Sequence, residues 1–139
     1  MATSERGGFA GARARNEPMT LRLQRLFERS GDNADHKVWI ERLSVASSLA
    51  YGSAGDTAPL AGLAFAMKDN IDLSGVPTTA GCPAYAFTPG RSATAVERLI
   101  AAGALPLGKT NLDQFATGLV GTRSPHGACR NALFPERIS

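Results

Sequence analysis

One lysine closes an apolar run. In "PLAGLAFAMKDNIDLSGVPTTAGC", residues 59 to 82, Lys68 stands directly behind Leu63, Ala64, Phe65, Ala66 and Met67 and in front of Asp69 and Asn70. An ammonium at the end of a strand buried on both faces is partly desolvated, which disfavours the charged form and lowers its pKa. A neutral amine accepts a proton, so a lysine in that setting has the chemistry of a general base near neutral pH. The competing reading is a strand-end lysine whose stem lies along apolar surface and whose head is wet or paired with Asp69 or Asp72.

Other reactive side chains lie apart from one another. Cys82 and Cys129 are the only cysteines; they form no C-x-x-C pair and stand at no metal-ligand spacing from His36 and His126. They read as free thiols of a reducing compartment, and the histidines as loop residues. The sequence contains no G-x-S-x-G elbow, S-x-x-K, phosphate-binding P-loop or G-x-G-x-x-G. Its serines sit in small-residue loops and read as turn and cap residues. Nothing here calls for a metal or a cofactor.

The elements that must position Lys68 follow from periodicity. Leu60 to Met67 reads as a strand with both faces covered. "SGVPTTAGCPAYAFTPGRS" has the glycine, proline and threonine content of a functional loop. "TAVERLIAAGA" switches to helical period, with Val96, Leu99 and Ile100 on one face, Thr94 and Glu97 at capping-box spacing and Gly103 as the stop. "ALPLG" reads as a second buried strand, and "TNLDQFATG" as the start of another helix with Asn111 and Gln114 at capping spacing. Upstream, "TLRLQRLFERSG" predicts a short amphipathic helix carrying Leu21, Leu26 and Phe27 and ending at Gly31. "HKVWIERL" fits either a short strand or the start of a helix through Leu49. The order of strand, crossover with helix, strand and helix predicts an α/β fold with parallel pairing.

The 139 residues suit one small domain or a piece of a larger one, and 43% apolar residues are those of an ordinary globular protein. A net charge of +3 spread over scattered Lys and Arg gives no nucleic-acid footprint. No apolar run is long enough to span a bilayer. "MATSERGGFAGARARNEP" lacks the apolar core of a secretory signal and reads as a disordered leader. The cytoplasm is the expected compartment.

The run from Pro59 to Cys82, followed by "ATAVERLIAAGALPLGKTNLDQFATG", resembles the front of the amidase-signature enzymes, over roughly half the chain from Pro59 to Gly127. "KDNID", "PTTAGC" and "GKTNLDQFATGLVGTR" are most similar to the allophanate hydrolase branch. The A subunits of glutamyl-tRNA(Gln) amidotransferases more typically carry glutamate where this chain has Gln114. The resemblance implies a serine–cis-serine–lysine triad cleaving C–N bonds, in which Lys68 is the base. A cis-serine relays its proton, and a second serine attacks the carbonyl to form an acyl-enzyme held by backbone N–H groups. It further implies a small amide substrate, with allophanate going to carbon dioxide and ammonia downstream of a urea carboxylase. It implies no metal or cofactor, and a homodimer for the full-length enzyme. Lys109 and Asn111 are expected to support the site, and Thr78, Thr79 and Gly81 to border its pocket or shape its loop.

The implied layout is a leader at 1–18, a helical and extended segment at 19–58, and the N-terminal part of an amidase domain at 59–139. Its fold is α/β, an incomplete amidase-signature fold with a mixed, largely parallel sheet flanked by helices. The family's glycine- and serine-rich segment is expected to begin about where Ser139 ends the chain. Both serines are then expected outside these residues, and the polypeptide alone is expected to be inactive. The alternatives are a non-catalytic truncated product or interaction module, or a fragment of another amidase such as the amidotransferase A subunit.

Overall fold

The computed structural model describes residues 18–29, 36–52, 55 and 57–138. Residues 1–17 of the expected leader and the Gly31 helix stop lie outside them. Three strands, β1 (Trp39–Arg42), β2 (Ala64–Lys68) and β3 (Leu105–Thr110), form one sheet in the order β1-β3-β2. β2 and β3 are parallel, from Ala64 opposite Leu105 to Lys68 opposite Thr110. A parallel pair cannot be joined by a hairpin, and the connection carrying the helix Thr94–Ala101 supplies the crossover. β1 runs antiparallel to β3, so the sheet is mixed and β3 is its centre.

Side-chain alternation along β2 sorts the apolar residues into two cores. Phe65 and Met67 join Leu73, Val76, Val96 and Ile100, whereas Ala64 joins Leu105, Leu107, Leu23 and Phe27. Leu23 and Phe27 lie one turn apart on α1 (Met19–Arg29), which places them on one stripe. Leu21, expected on that stripe, is exposed. The Arg42 guanidinium lies 5.3 Å from the Phe27 ring centroid and donates to the Phe27 carbonyl, tying the end of α1 to β1.

Of the two readings of "HKVWIERL", the strand is the one realised, and a separate helix follows it. β1 ends at Arg42, and Ser44 then caps α2 (Val45–Ala50) by accepting from the Ser47 N–H at 3.0 Å. The strand expected from Leu60 begins only at Ala64. Residues 58–63 turn instead, with Ala61 N–H donating to Ala58 O and Leu63 N–H to Leu60 O. α3 (Thr94–Ala101) forms as expected and Gly103 ends it with φ +96°. The expected Thr94–Glu97 capping box is not made: Ala93 occupies the cap position, and the Glu97 carboxylate receives Arg91 Nε at 2.8 Å. The helix expected at "TNLDQFATG" reduces to a turn at Gln114–Ala116, where Phe115 and Ala116 have φ of 53° and 55°.

Gly108 lets β1 and β3 approach. Its φ is +153°, and a Cβ there would overlap the carbonyl of Glu41 on the paired strand. A Gly108→Ala substitution is expected to lower unfolding free energy by at least about 2 kcal/mol in urea titration, because backbone must move on one strand.

Candidate active site

The Lys68 side chain is exposed, and among the described residues no hydrogen bond or ion pair holds its ammonium. The expected dry environment at this sheet end belongs to Lys109. β2 is an edge strand whose last turn of alternation sends Met67 inward and Lys68 outward, with Asp69 buried just after it. Lys109 sits on the central strand opposite Met67 and is fully buried. Neither carboxylate considered as a partner for Lys68 serves that role. Asp69 faces Lys109, and Asp72 accepts from the Thr78 hydroxyl at 2.9 Å.

Lys109 and Asp69 form the centre of a buried polar network. Lys109 Nζ lies 3.3 Å from Asp69 Oδ1, an ion pair without hydrogen-bond alignment, with both side chains at 0% exposure. Lys109 Nζ donates to Thr78 Oγ1 at 2.9 Å and to the Pro77 carbonyl at 3.2 Å. Asp69 Oδ2 accepts from Thr79 N–H at 3.1 Å, from the Thr79 hydroxyl, and from Gly81 N–H at 3.5 Å. The Asp69 main chain adds two bonds: its N–H donates to Thr110 O at 3.0 Å, and its carbonyl accepts from Ala80 N–H at 3.2 Å. Two charges and their hydrogen bonds therefore pin loop 77–81 to the ends of β2 and β3. Buried charges persist only when paired in this way.

Backbone strain gathers at the same place. Ala80, Phe115 and Ala116 have φ between 51° and 55°, and Phe115 N–H donates to Ala80 O at 2.8 Å. Non-glycine residues in this region cost of order 1–3 kcal/mol each and hold only where surroundings over-determine them. At Gly81, with φ +70°, a Cβ would come within 3.4 Å of the Gln114 and Leu112 backbone, and Gln114 Nε2 donates to Gly81 O at 3.4 Å. Tyr85 packs edge-on against Phe87 and Phe115 at centroid distances of 5.7 and 5.4 Å, each ring remaining partly exposed. This aromatic group joins two loops far apart in sequence, and no local pattern signals it.

Asn111 does not cap a helix. Its Nδ2 donates to Lys37 O and Gly127 O, both at 2.9 Å, while its Oδ1 accepts from Leu112 N–H at 2.8 Å and Ser124 Oγ at 2.6 Å. It thus ties the approach to β1 to loop 124–127. The next carboxylate, Asp113, gathers the following loop by accepting from Arg123 N–H at 2.6 Å and from Val120 and Gly121 N–H at 3.1 Å. The Arg123 N–H, foremost, and those of Val120 and Gly121 hold its carboxyl below the usual aspartate range.

A depressed native pKa contributes stability that is present above the unfolded value of about 3.9 and lost as pH falls through the lower native value. Asp113→Asn is therefore expected to destabilise the chain at neutral pH. The gap from wild type should narrow as pH falls below the unfolded value of about 3.9 and close once it passes the lower native value, as read from urea midpoints at a series of pH values.

Both cysteines are free. The Cys129 thiol donates to Lys37 O at 3.3 Å, and burial pushes its pKa up, which disfavours the thiolate. Among the described residues, no three His, Cys, Asp or Glu side chains are grouped to hold a metal ion, and no helix is long and apolar enough to cross a membrane. Of the residues singled out from sequence, Thr79, Gly81 and Lys109 converge on Asp69, Thr78 joins them through Lys109, Asn111 sits one loop away, and Lys68 points outward beside them. The organising roles of Asp69, Asp72 and Asp113 have no sequence signal, because nothing in a single carboxylate's neighbours reveals that loop donors will surround it.

The Amidase family model matches residues 31–139. Urea amidolyase of Saccharomyces cerevisiae is 56% identical over 84 residues, covering 60% of this chain and 5% of that protein. The glutamyl-tRNA(Gln) amidotransferase A chain of Lachnospira eligens is 46% identical over 83 residues, covering 59% of this chain and 17% of its own. Among solved structures, an allophanate hydrolase of Kluyveromyces lactis superposes with a TM-score of 0.75 at 41% identity, over 89% of this chain and 22% of that one. The chain thus spans under a quarter of each of these relatives.

Proposed function

Because the chain belongs to the Amidase family, we propose that it supplies the base-bearing part of an enzyme that hydrolyses allophanate to carbon dioxide and ammonia. The observation that carries this reading is the 56% identity to a urea amidolyase, joined by the 41% identity to an allophanate hydrolase structure. Lys68 is the general base. It stands exposed at the C-terminal end of a strand parallel to β3 and uncommitted to any described residue, so a hydroxyl can be brought to it; the role requires its neutral amine, since an ammonium has no lone pair to take a proton. In the triad that the resemblance implies, a second serine attacks the carbonyl carbon and gives its proton to the bridging cis-serine, which passes its own to the neutral Lys68 amine. The relay returns that proton to the leaving nitrogen so that ammonia departs, water then releases the acyl group as a doubly carboxylated amine, and breakdown of that product gives carbon dioxide and the second ammonia. The preceding reaction is a carboxylation of urea, since allophanate is carboxylated urea.

The amidotransferase reading rests on the 46% identity to the Lachnospira eligens protein. Gln114 favours the hydrolase: its Nε2 donates to Gly81 O, a bond that the glutamate more typical of the amidotransferase branch cannot make. The test is an assay of the complete amidase polypeptide carrying this segment. Ammonia release is expected from allophanate in preference to malonamide or glutaminyl substrates; a preference for glutaminyl substrates selects the amidotransferase reading.

A further inference from the structure

We propose that Lys109 and Asp69 are positioning residues: their buried charge pair fixes loop 77–81 and the end of β2 around Lys68, and stability alone does not require it. This inference rests on the reading of Lys68 as the base.

The pair is costly to bury. Two charges at 0% exposure lose their hydration, and apolar residues of similar volume at such a place are commonly neutral or stabilising. What an apolar pair cannot supply is direction. Lys109 fixes Pro77 and Thr78, and Asp69 fixes Thr79 and Gly81, while Thr78 Oγ1 passes one more bond on to Asp72. Every one of these contacts involves the loop that folds back over the residue after Lys68. Strain is concentrated there as well, at Ala80 and at the Phe115–Ala116 turn bonded to it. Backbone at positive φ relaxes once the contacts that over-determine it are removed. The network therefore holds a strained loop in register with a base whose ammonium no described residue orients.

The test separates orientation from stability by a double apolar substitution, Lys109→Met with Asp69→Leu. In the 139-residue chain, hydrogen exchange at Thr79, Ala80 and Gly81 amides is expected to quicken by about tenfold or more, with the melting temperature equal to or above that of the unaltered chain. In the complete amidase polypeptide, kcat is expected to fall about 100-fold with KM unchanged, the size of effect that misplacement of a reacting group produces. Recovery of both stability and kcat in the double variant would overturn the proposal, as would unchanged protection of the three amides.

Thr78→Val, which keeps the shape but removes the hydroxyl joining Lys109 to Asp72, covers the case in which the double variant does not fold. A kcat loss of about tenfold, measured at a temperature where the variant is fully folded, supports the proposal, and unaltered kcat refutes it. Normal turnover by Lys68→Ala would instead remove the base assignment and leave the exchange result to decide whether the pair orders the loop.

Discussion

On the proposed reading of Lys68 as the base of an allophanate hydrolase, Lys68→Ala is expected to lower turnover by the complete amidase polypeptide by about 10³-fold or more, with unfolding free energy within about 0.5 kcal/mol of the unaltered protein. The first half follows from chemistry. A positioned general base contributes typically about 10²–10⁴-fold, and alanine leaves the attacking hydroxyl without a proton acceptor. The second half follows from geometry: the Lys68 side chain is exposed and no described group is paired with its ammonium, so truncation leaves neither cavity nor orphaned partner. Steady-state kinetics together with a urea melt check both. Near-normal turnover in a folded variant rejects Lys68 as the base, whereas loss of activity through unfolding would contradict its exposed position.

The largest stability effect is expected one strand away. Lys109→Met alone removes the cation from a fully buried pair and leaves the Asp69 carboxylate facing apolar carbon. It also removes the donors that satisfy Thr78 Oγ1 and the Pro77 carbonyl. Breaking one partner of a buried ion pair costs about 3–5 kcal/mol, against a total stability of about 5–15 kcal/mol for an ordinary domain. A urea midpoint lowered by about a third or more at unchanged slope is the expected readout. A shift no larger than that of an exposed lysine would mean that water reaches the pair. The contrast between two lysines, one whose loss strands nothing and one whose loss alone leaves a buried carboxylate uncompensated, is the sharpest consequence of the sheet order.

That contrast is only partly legible in the sequence. The motif residues stand out because their types and order are distinctive: Lys68 before Asp69 and Asn70, then the Thr78-Thr79-Ala80-Gly81 loop, then Gly108-Lys109-Thr110-Asn111. Their environments do not. Ala64, Phe65, Ala66 and Met67 are all apolar, so the period-two alternation that turns Lys68 outward is hidden, and the strand reads as buried on both faces. Lys109 gives no local sign of burial, because it depends on β3 lying between two partners, which is a property of topology. The helix expected after Asn111 has adequate spacing but loses to tertiary bonds. Asp113 collects three N–H groups from residues 120–123, and Phe115 donates to Ala80, which together draw the chain away from helical geometry. Glu97 has the spacing of a capping partner, yet Arg91 offers two charged donors at 2.8 and 3.1 Å. Local pattern locates the chemistry; long-range pairing decides which side chains stay dry.

The sheet order also has a consequence for synthesis on the ribosome. β3, the centre strand, is the last of the three to leave the exit tunnel, since β1 and β2 precede it in the chain and, among the described residues, both pair only with it. Until Leu105–Thr110 emerges, each earlier strand has no neighbour and presents bare edges to other nascent polypeptides. Such pairings, with Trp39 opposite Thr110, close a large loop before any ladder is gained and are intrinsically slow. Early folding is then left to α1 and to local turns, and the interval before β3 appears is when holding chaperones would matter most.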